Sequence, residues 1–203
     1  MRPASKKLIL LFALVAVMGQ ALALAQADQR SADIVTARAS AATMSAAVTL
    51  VLAGSPAANE IRISLSPGGR SYLIESSNPL EVGGQICTHP DAKADQLSCA
   101  ATAIAAFRFN GGASDDIVVI GRTVPVPTTL EGGAGNDVLI GGAGGEKLTR
   151  GPGDDRLVGR GGEDWLYGGA GEDRLVGGPG EDICIGGPAH DSAASCEVIE
   201  AMP

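Results

Sequence analysis

Large apolar residues recur at every ninth position along the last third of the chain. The five clearest are leucines: Leu139, Leu148, Leu157, Leu166 and Leu175. Their neighbours on either side include Lys147, Thr149, Arg156 and Arg174. Such alternation is typical of a short strand that buries every second side chain. A period of nine fits neither a helix nor an ordinary hairpin. It fits a turn plus a three-residue strand, stacked on itself as an all-β solenoid.

An acidic residue closes each of the turns between these strands. Within a block such as Gly132–Asp137, the first, second and fourth positions are mostly glycine, which lets backbone carbonyls approach an ion. If two blocks form one coil, alternate acids stack about 4.8 Å apart. The predicted columns are Asp137, Asp155, Asp173 and Asp191 on one edge, and Glu146, Asp164 and Asp182 on the other.

Carboxylates this close together repel one another unless a divalent cation lies between them. Calcium accepts six to eight oxygens at ~2.3–2.6 Å, whereas magnesium demands stricter geometry. Softer metals prefer histidine and cysteine ligands, which these turns largely lack. The sequence therefore predicts Ca²⁺ as the cofactor. Because five inward leucines bury little apolar surface, we expect the array to be disordered without calcium and to fold on binding it.

These blocks resemble the RTX, or haemolysin-type, calcium-binding nonapeptide repeat G-G-x-G-x-D-x-U-x, in which U is a large apolar residue. The resemblance covers residues 132–191 well and 111–116 loosely. It implies a parallel β-roll with calcium between turns two repeats apart. The metal ligands that it implies are Asp137, Asp155, Asp173 and Asp191 on one edge and Asp164 and Asp182 on the other. The glycines implied beside them are Gly133, Gly135, Gly151, Gly153, Gly169, Gly171, Gly178 and Gly180.

Several turns depart from the repeat. Glu146 stands where the other blocks carry Asp, while Arg150, Arg160 and Ala189 replace glycines. We therefore expect fewer than five complete calcium sites. The best pairs should be Asp155 with Asp173 and Asp164 with Asp182.

Short β-prone runs precede the array. Ile61, Ile63 and Leu65 alternate with polar residues, and we interpret residues 46–110 as a small antiparallel β unit after a flexible linker at 28–45. Residues 111–196 then form the roll. Four cysteines in an exported chain indicate disulfides, and among three connectivities we favour two local pairs, Cys87 with Cys99 and Cys184 with Cys196. With no C-x-x-C and two histidines, zinc is disfavoured.

The N-terminus has the pattern of a secretory signal peptide at residues 1–27. A basic start precedes the apolar run from Leu8 to Met18, which is short for a membrane span. Cleavage after Ala23, Ala25 or Ala27 would fit the small residues there. We therefore predict a secreted, extracellular protein that is not stably inserted in a membrane.

The remaining features narrow the function. The formal net charge of −8 argues against nucleic acid as a partner, and no catalytic motif is present, so we predict a non-enzyme. Our leading interpretation is a structural, adhesive or surface-associated protein with an extracellular protein or polysaccharide partner. Two alternatives remain: an accessory module of a partner enzyme, and a glycan-binding module at residues 46–110. Trp165 and Tyr167 share one predicted outward face, which is either a sugar or partner patch or incidental.

Overall fold

A computed structural model describes residues 35–40, 47–83 and 86–200. These ranges hold two short 3-10 turns, Pro90–Ala92 and Ala101–Ala103, and otherwise strands and loops. The strands of the first part are β1 Val35–Ser40, β2 Val48–Ala53, β3 Glu60–Leu65, β4 Ser71–Ser76, β5 Leu80–Gly83, β6 Cys87–Thr88, β7 Gln96–Ala100, β8 Ile104–Ala113 and β9 Ile117–Ile120. Those of the second part are β10 Thr128–Ala134, β11 Val138–Ile140, β12 Glu146–Thr149, β13 Arg156–Val158, β14 Trp165–Tyr167, β15 Arg174–Val176, β16 Ile183–Ile185, β17 Ser192–Ala194 and β18 Val198–Glu200.

The strands form two nine-stranded sheets, and from β8 onward successive strands alternate between them. The first sheet has the order β18-β16-β14-β12-β10-β8-β2-β1-β5, and the second β17-β15-β13-β11-β9-β3-β4-β7-β6. From β8 onward every pairing is parallel, with Leu139 opposite Leu157 and Leu157 opposite Leu175. The predicted all-β fold with a parallel β-roll is confirmed. Each coil places the leucine of one block directly over the leucine two blocks earlier.

The antiparallel part lies on the N-terminal side, as predicted. β3, β4, β7 and β6 pair antiparallel in that order, and so do β1 and β2. In addition, β2 pairs in parallel with β8, and β3 in parallel with β9. The parallel stack thus extends back to Val48, into the stretch that the sequence suggested was wholly antiparallel. Alternation reveals that a segment is a strand, but it does not name the strand's partner.

β1 lies in the stretch 28–45, for which the sequence suggested a linker. It runs from Val35 to Ser40 and pairs antiparallel with β2 and parallel with β5. Its residues are mostly small and polar, so the apolar pattern carries little strand signal. The predicted signal peptide at 1–27 lies outside the described residues.

The apolar interior runs the whole length of the roll. On the N-terminal side it holds large side chains, including the rings of Tyr72 and Phe107, which meet edge to face at 5.0 Å. Along the array it narrows to one inward residue per strand, as predicted. The inward leucines of β11 to β15 are fully buried, and the corresponding positions of β16 and β17 are Cys184 and the smaller Ala193.

Both predicted disulfides are present. Cys87 in β6 is bonded to Cys99 in β7, and Cys184 in β16 is bonded to Cys196 just before β18. The first bridge joins two antiparallel neighbours of the N-terminal part. The second ties the last described coils together. The described ranges contain no helix with the length and apolarity that crossing a membrane requires.

Candidate metal centre

The turns between the two sheets bring the predicted acids together in two columns. On the edge where the chain passes from the first sheet to the second, Asp137, Asp155, Asp173 and Asp191 lie one above another. On the opposite edge the stack is formed by Glu146, Asp164 and Asp182. The arrangement follows from the parallel register, because residues 18 apart occupy equivalent places in successive coils.

Backbone hydrogen bonds fix one oxygen of each aspartate in the columns. The amide of Asp137 donates to Oδ1 of Asp155 at 2.7 Å, and the amide of Asp155 donates to Oδ1 of Asp173 at 3.0 Å. On the second edge the amide of Asp164 donates to Oδ1 of Asp182 at 2.9 Å. Each acid is therefore held by the coil before it, and its second oxygen has a defined direction.

That second oxygen is buried and has no hydrogen-bond partner within the described ranges. The atoms concerned are Oδ2 of Asp116, Asp137, Asp155, Asp164, Asp173, Asp182 and Asp191, and both carboxylate oxygens of Glu146. A buried carboxylate oxygen without a donor is strongly unfavourable, and native structures rarely leave one unexplained. Such oxygens recur along both columns, which indicates that the turns bind positive charge beyond what the protein atoms supply.

The first glycine of each turn makes room for this oxygen. A methyl carbon at Gly168 would overlap Oδ2 of Asp173 and would lie 2.6 Å from the carbonyl oxygen of Gly186 in the next coil. Carboxylate and carbonyl oxygens thus border the same small space. Within the described residues, no three acidic, histidine or cysteine side chains converge on one point. An ion here would be bound by carboxylates together with carbonyls, an all-oxygen set that suits calcium.

The predicted glycines fall at the second and fourth turn positions. The backbone φ is positive at Gly133, Gly135, Gly153, Gly169, Gly171, Gly178 and Gly180, but not at Gly151. At Gly171, where φ is 129°, a side chain would also collide with the carbonyl of Gly153. Arg160 and Ala189, which replace glycines, keep positive φ values of 82° and 142°. The turn geometry is therefore retained at these two substitutions, at a cost in backbone strain.

Burial makes these carboxylates hard to ionise when no metal is bound. Desolvation raises the pKa of Asp137 and of Asp173 to about 6. It also raises the pKa of Glu146 and Asp164, which repel each other. The same cause raises the pKa of Asp116, Asp155 and Asp182. A divalent cation would reverse this preference, because it stabilises the ionised form.

We call the space between two successive acids of a column an interval. One interval of the first column contains a positively charged side chain. The guanidinium of Arg150 lies 3.0 Å from Oδ1 of Asp155 and 3.5 Å from Oδ2 of Asp137, and all three side chains are fully buried. Desolvation lowers the pKa of Arg150, but a guanidinium stays charged in proteins. At the start of the second column, Arg160 donates to the carbonyls of Ile120 and Gly141 at 2.6 and 3.0 Å.

Three further residues belong to the columns and were not among the predicted ligands. Asp116 donates its amide to Asp137, and its own Oδ1 accepts from the amide and the side chain of Asn59. Glu197 accepts the amide of Asp182 at 2.5 Å. Asp116 and Asn59 end six-residue turns that begin at Gly111 and Gly54, so the block spacing could have revealed them. Glu197 follows Asp182 by 15 residues and is off the period.

Comparison with known families agrees with this geometry. The family model of the RTX calcium-binding nonapeptide repeat (4 copies) matches residues 128–157 and 149–184. No curated protein and no solved structure shows a detectable match to the chain. The matched residues contain the buried leucines of β11 to β15 and most of both acid columns.

Proposed function

We propose that this RTX-type repeat protein, whose repeat family binds Ca²⁺, is an exported non-enzymatic protein whose roll is ordered by calcium and serves a structural or adhesive role. The observation that carries the proposal is the row of buried, unpartnered carboxylate oxygens beside backbone carbonyls. Repeat domains of this kind are mostly non-catalytic. Two disulfides fit an oxidising, extracellular setting.

The ligands we assign are five of the six predicted aspartates with the turn backbone around them: Asp155, Asp164, Asp173, Asp182 and Asp191. The sixth, Asp137, already faces the guanidinium of Arg150. Asp155 and Asp173 form the best interval of the first column, because both keep an unpartnered Oδ2 and the guanidinium of Arg150 is directed into the preceding interval. Asp164 and Asp182 form the best interval of the second. Calcium would neutralise the paired carboxylates and would hold successive turns together.

A calcium titration of the mature chain followed by far-UV circular dichroism tests this function. We expect the β signal to rise with calcium and not with magnesium, and the rise to be lost in the double variant Asp155→Ala plus Asp173→Ala. The matched control is Glu163→Ala plus Glu172→Ala, which removes the same charge from exposed positions next to the buried acids of two turns. A β signal that is equal in EDTA and in calcium would contradict the proposal.

An outward apolar surface supports the adhesive part of the proposal. Trp165 and Tyr167, on β14, are 58% and 43% exposed, although most large apolar residues of the roll are buried. With Ile183 and Ile185 on β16 they line a shallow groove of about 230 Å³. Two rings about 7 Å apart along one strand match the flat faces of neighbouring sugar rings. We assign a polysaccharide as the partner that this surface fits.

The adhesive role is tested with the variant Trp165→Ser plus Tyr167→Thr in saturating calcium. We expect retention on insoluble polysaccharides to fall while the circular dichroism spectrum stays that of the parent protein. Lys147→Ser on the neighbouring strand β12 is the control, since it changes the same face without removing a ring. If the ring variant and the parent protein are retained equally, the groove is not the adhesive surface.

A further inference from the structure

Arg150 occupies the first position of its turn, where the other six blocks carry a glycine. At Gly168 and Gly177 the glycine leaves a space bordered by the Oδ2 atom of the acid and a carbonyl of the next coil. The Arg150 side chain instead runs into the space beside Gly132, where an added methyl carbon would lie 2.8 Å from its Cδ atom. The substitution therefore fills an interval between two coils with a long, charged side chain.

The guanidinium contacts both acids of that interval. Nη1 lies 3.0 Å from Asp155 and 3.5 Å from Asp137, and Nη2 donates to the carbonyl of Arg156 at 3.1 Å. None of the three charged side chains is exposed. A fully buried cation that bridges two stacked carboxylates and a carbonyl has the same kinds of partners as a calcium ion in a neighbouring interval.

We propose that Arg150 is a built-in replacement for a calcium ion, so that the Asp137–Asp155 interval is closed without metal and calcium loading starts at Asp155–Asp173. This inference rests on the proposed calcium binding of the open intervals. A guanidinium and a divalent cation exclude each other there, because they would compete for the same oxygens and repel at close range.

The second glycine-to-arginine substitution is Arg160, at the second position of its turn. Arg160 binds the carbonyls of Ile120 and Gly141, and Gly141 belongs to the turn of Glu146. Arg150 thus places a side-chain cation between Asp137 and Asp155, and Arg160 places one beside the first turn of the other column. The later turns, from Gly168 to Asp182, have glycine at positions one, two and four.

The closed Asp137–Asp155 interval should also affect how the rest of the roll folds. In a solenoid each coil gains stability only from its neighbours, so the first ordered coil must form before the next can add to it. An interval that Arg150 neutralises internally gives the open, calcium-dependent turns an ordered edge on which to stack. We therefore expect calcium to extend an existing roll rather than to nucleate one.

The experiment compares the full mature chain with three variants. Arg150→Gly opens the interval, Arg150→Lys keeps its charge, and Arg174→Ser removes an exposed arginine from β15 as the matched control. The number of calcium ions bound per chain is measured by isothermal titration calorimetry. We expect Arg150→Gly to bind one calcium ion per chain more than the parent protein, and the other two variants to bind the parental number.

Hydrogen exchange in EDTA supplies a readout that does not depend on calcium or on the folding of a variant. In the parent protein we expect amide protection across residues 132–158 and rapid exchange across 168–194. Equal exchange in both stretches would overturn the inference, and so would a parental calcium number in a folded Arg150→Gly. Should the parent protein bind no calcium at all, the proposed function would fail, and the exchange pattern would still decide the role of Arg150.

Discussion

The N-terminal coils and the C-terminal coils share one backbone path but are stabilised by different forces. In the first group a strand buries two large side chains, as β3 does with Ile61 and Ile63. In the second group a three-residue strand buries one, as β15 does with Leu175. Since each large side chain contributes about 1.5–3 kcal/mol of burial, the N-terminal coils gain roughly twice as much per strand.

The turns show the opposite balance. Asp116, in the N-terminal coils, has one oxygen that accepts two hydrogen bonds from Asn59, and Arg150 closes the interval after Asp137. All five aspartates of this column, from Asp116 to Asp191, have an unpartnered Oδ2, but Asp173 and Asp191 form no ion pair with a basic side chain of the described residues. A solenoid coil can thus be stabilised either by apolar burial and internal counter-ions or by bound metal. The chain passes from the first arrangement to the second.

Removal of calcium should have the largest effect, and it should affect the C-terminal coils far more than the N-terminal ones. A site held at a calcium concentration 100 times its dissociation constant loses about 2.7 kcal/mol when the ion is withdrawn. For each such site that stabilises a coil, we expect hydrogen exchange in β14 to β16 to accelerate about 100-fold in EDTA. Exchange in β2, β3 and β8 should change little. Hydrogen exchange with mass spectrometry, in EDTA and in calcium, measures both regions at once.

Magnesium in place of calcium is the control for that measurement. Because magnesium keeps its waters and demands octahedral geometry, it should leave β14 to β16 exchanging as in EDTA. Uniform acceleration along the whole chain would show that the two regions fold as one unit, and it would remove the distinction between them.

Truncation of one inward leucine in each region should lower stability in a way that depends on calcium in one region and not in the other. Leu175→Ala creates a cavity in the array and should lower the free energy of unfolding by about 3 kcal/mol in calcium, as should Leu52→Ala in β2. In EDTA, Leu52→Ala should still destabilise the N-terminal coils by the same amount. Leu175→Ala should have almost no effect in EDTA, because the coils around it are already unfolded. Urea unfolding of each variant with and without calcium gives the four values.

The contrast between these regions also separates what the sequence predicts from what it does not. The nine-residue period gives the inward leucines, the two acid columns and the parallel stack, since each follows from strand alternation and a two-block coil. Local pairing of the cysteines is also correct. The assignment of aspartates and glycines as calcium ligands stays a prediction, which the geometry of the unpartnered oxygens supports.

The features that escaped prediction depend on contacts between distant segments. Nothing in the local pattern of β2 indicates that its parallel partner is β8. Arg150 was interpreted as a departure from the glycine pattern, because a sequence does not show that the side chain enters the interval between Asp137 and Asp155. Glu197 reaches the second column just after Cys196, which is bonded to Cys184.

Neutralising one acid in each region is expected to have a smaller effect. Asp173→Asn removes charge from a residue that borders two open intervals, and we expect calcium affinity to fall at least about tenfold, or ~1.4 kcal/mol. Asp116→Asn changes a turn that already has an amide partner in Asn59, so calcium affinity should stay at the parental value. Isothermal titration distinguishes them, and an equal loss in both variants would contradict the division of the column.

The smallest expected effect is that of pH on the metal-free protein. Burial raises the pKa of Asp137 and Asp173 to about 6 in the folded chain, above the usual aspartate value. The folded state therefore binds more protons than the unfolded state between about pH 4 and about pH 6, and stability falls as pH rises through that window. Without calcium, the array should be more ordered near pH 5 than near pH 7.5. With calcium the array should be more stable near pH 7.5 than near pH 5, because protons compete with the ion for the same oxygens.

Urea unfolding midpoints at the two pH values, in EDTA and in calcium, measure the pH dependence of stability in both states. A metal-free array that gains stability toward pH 7.5 would show that its carboxylates are already paired, and that the C-terminal coils need calcium no more than the N-terminal ones do.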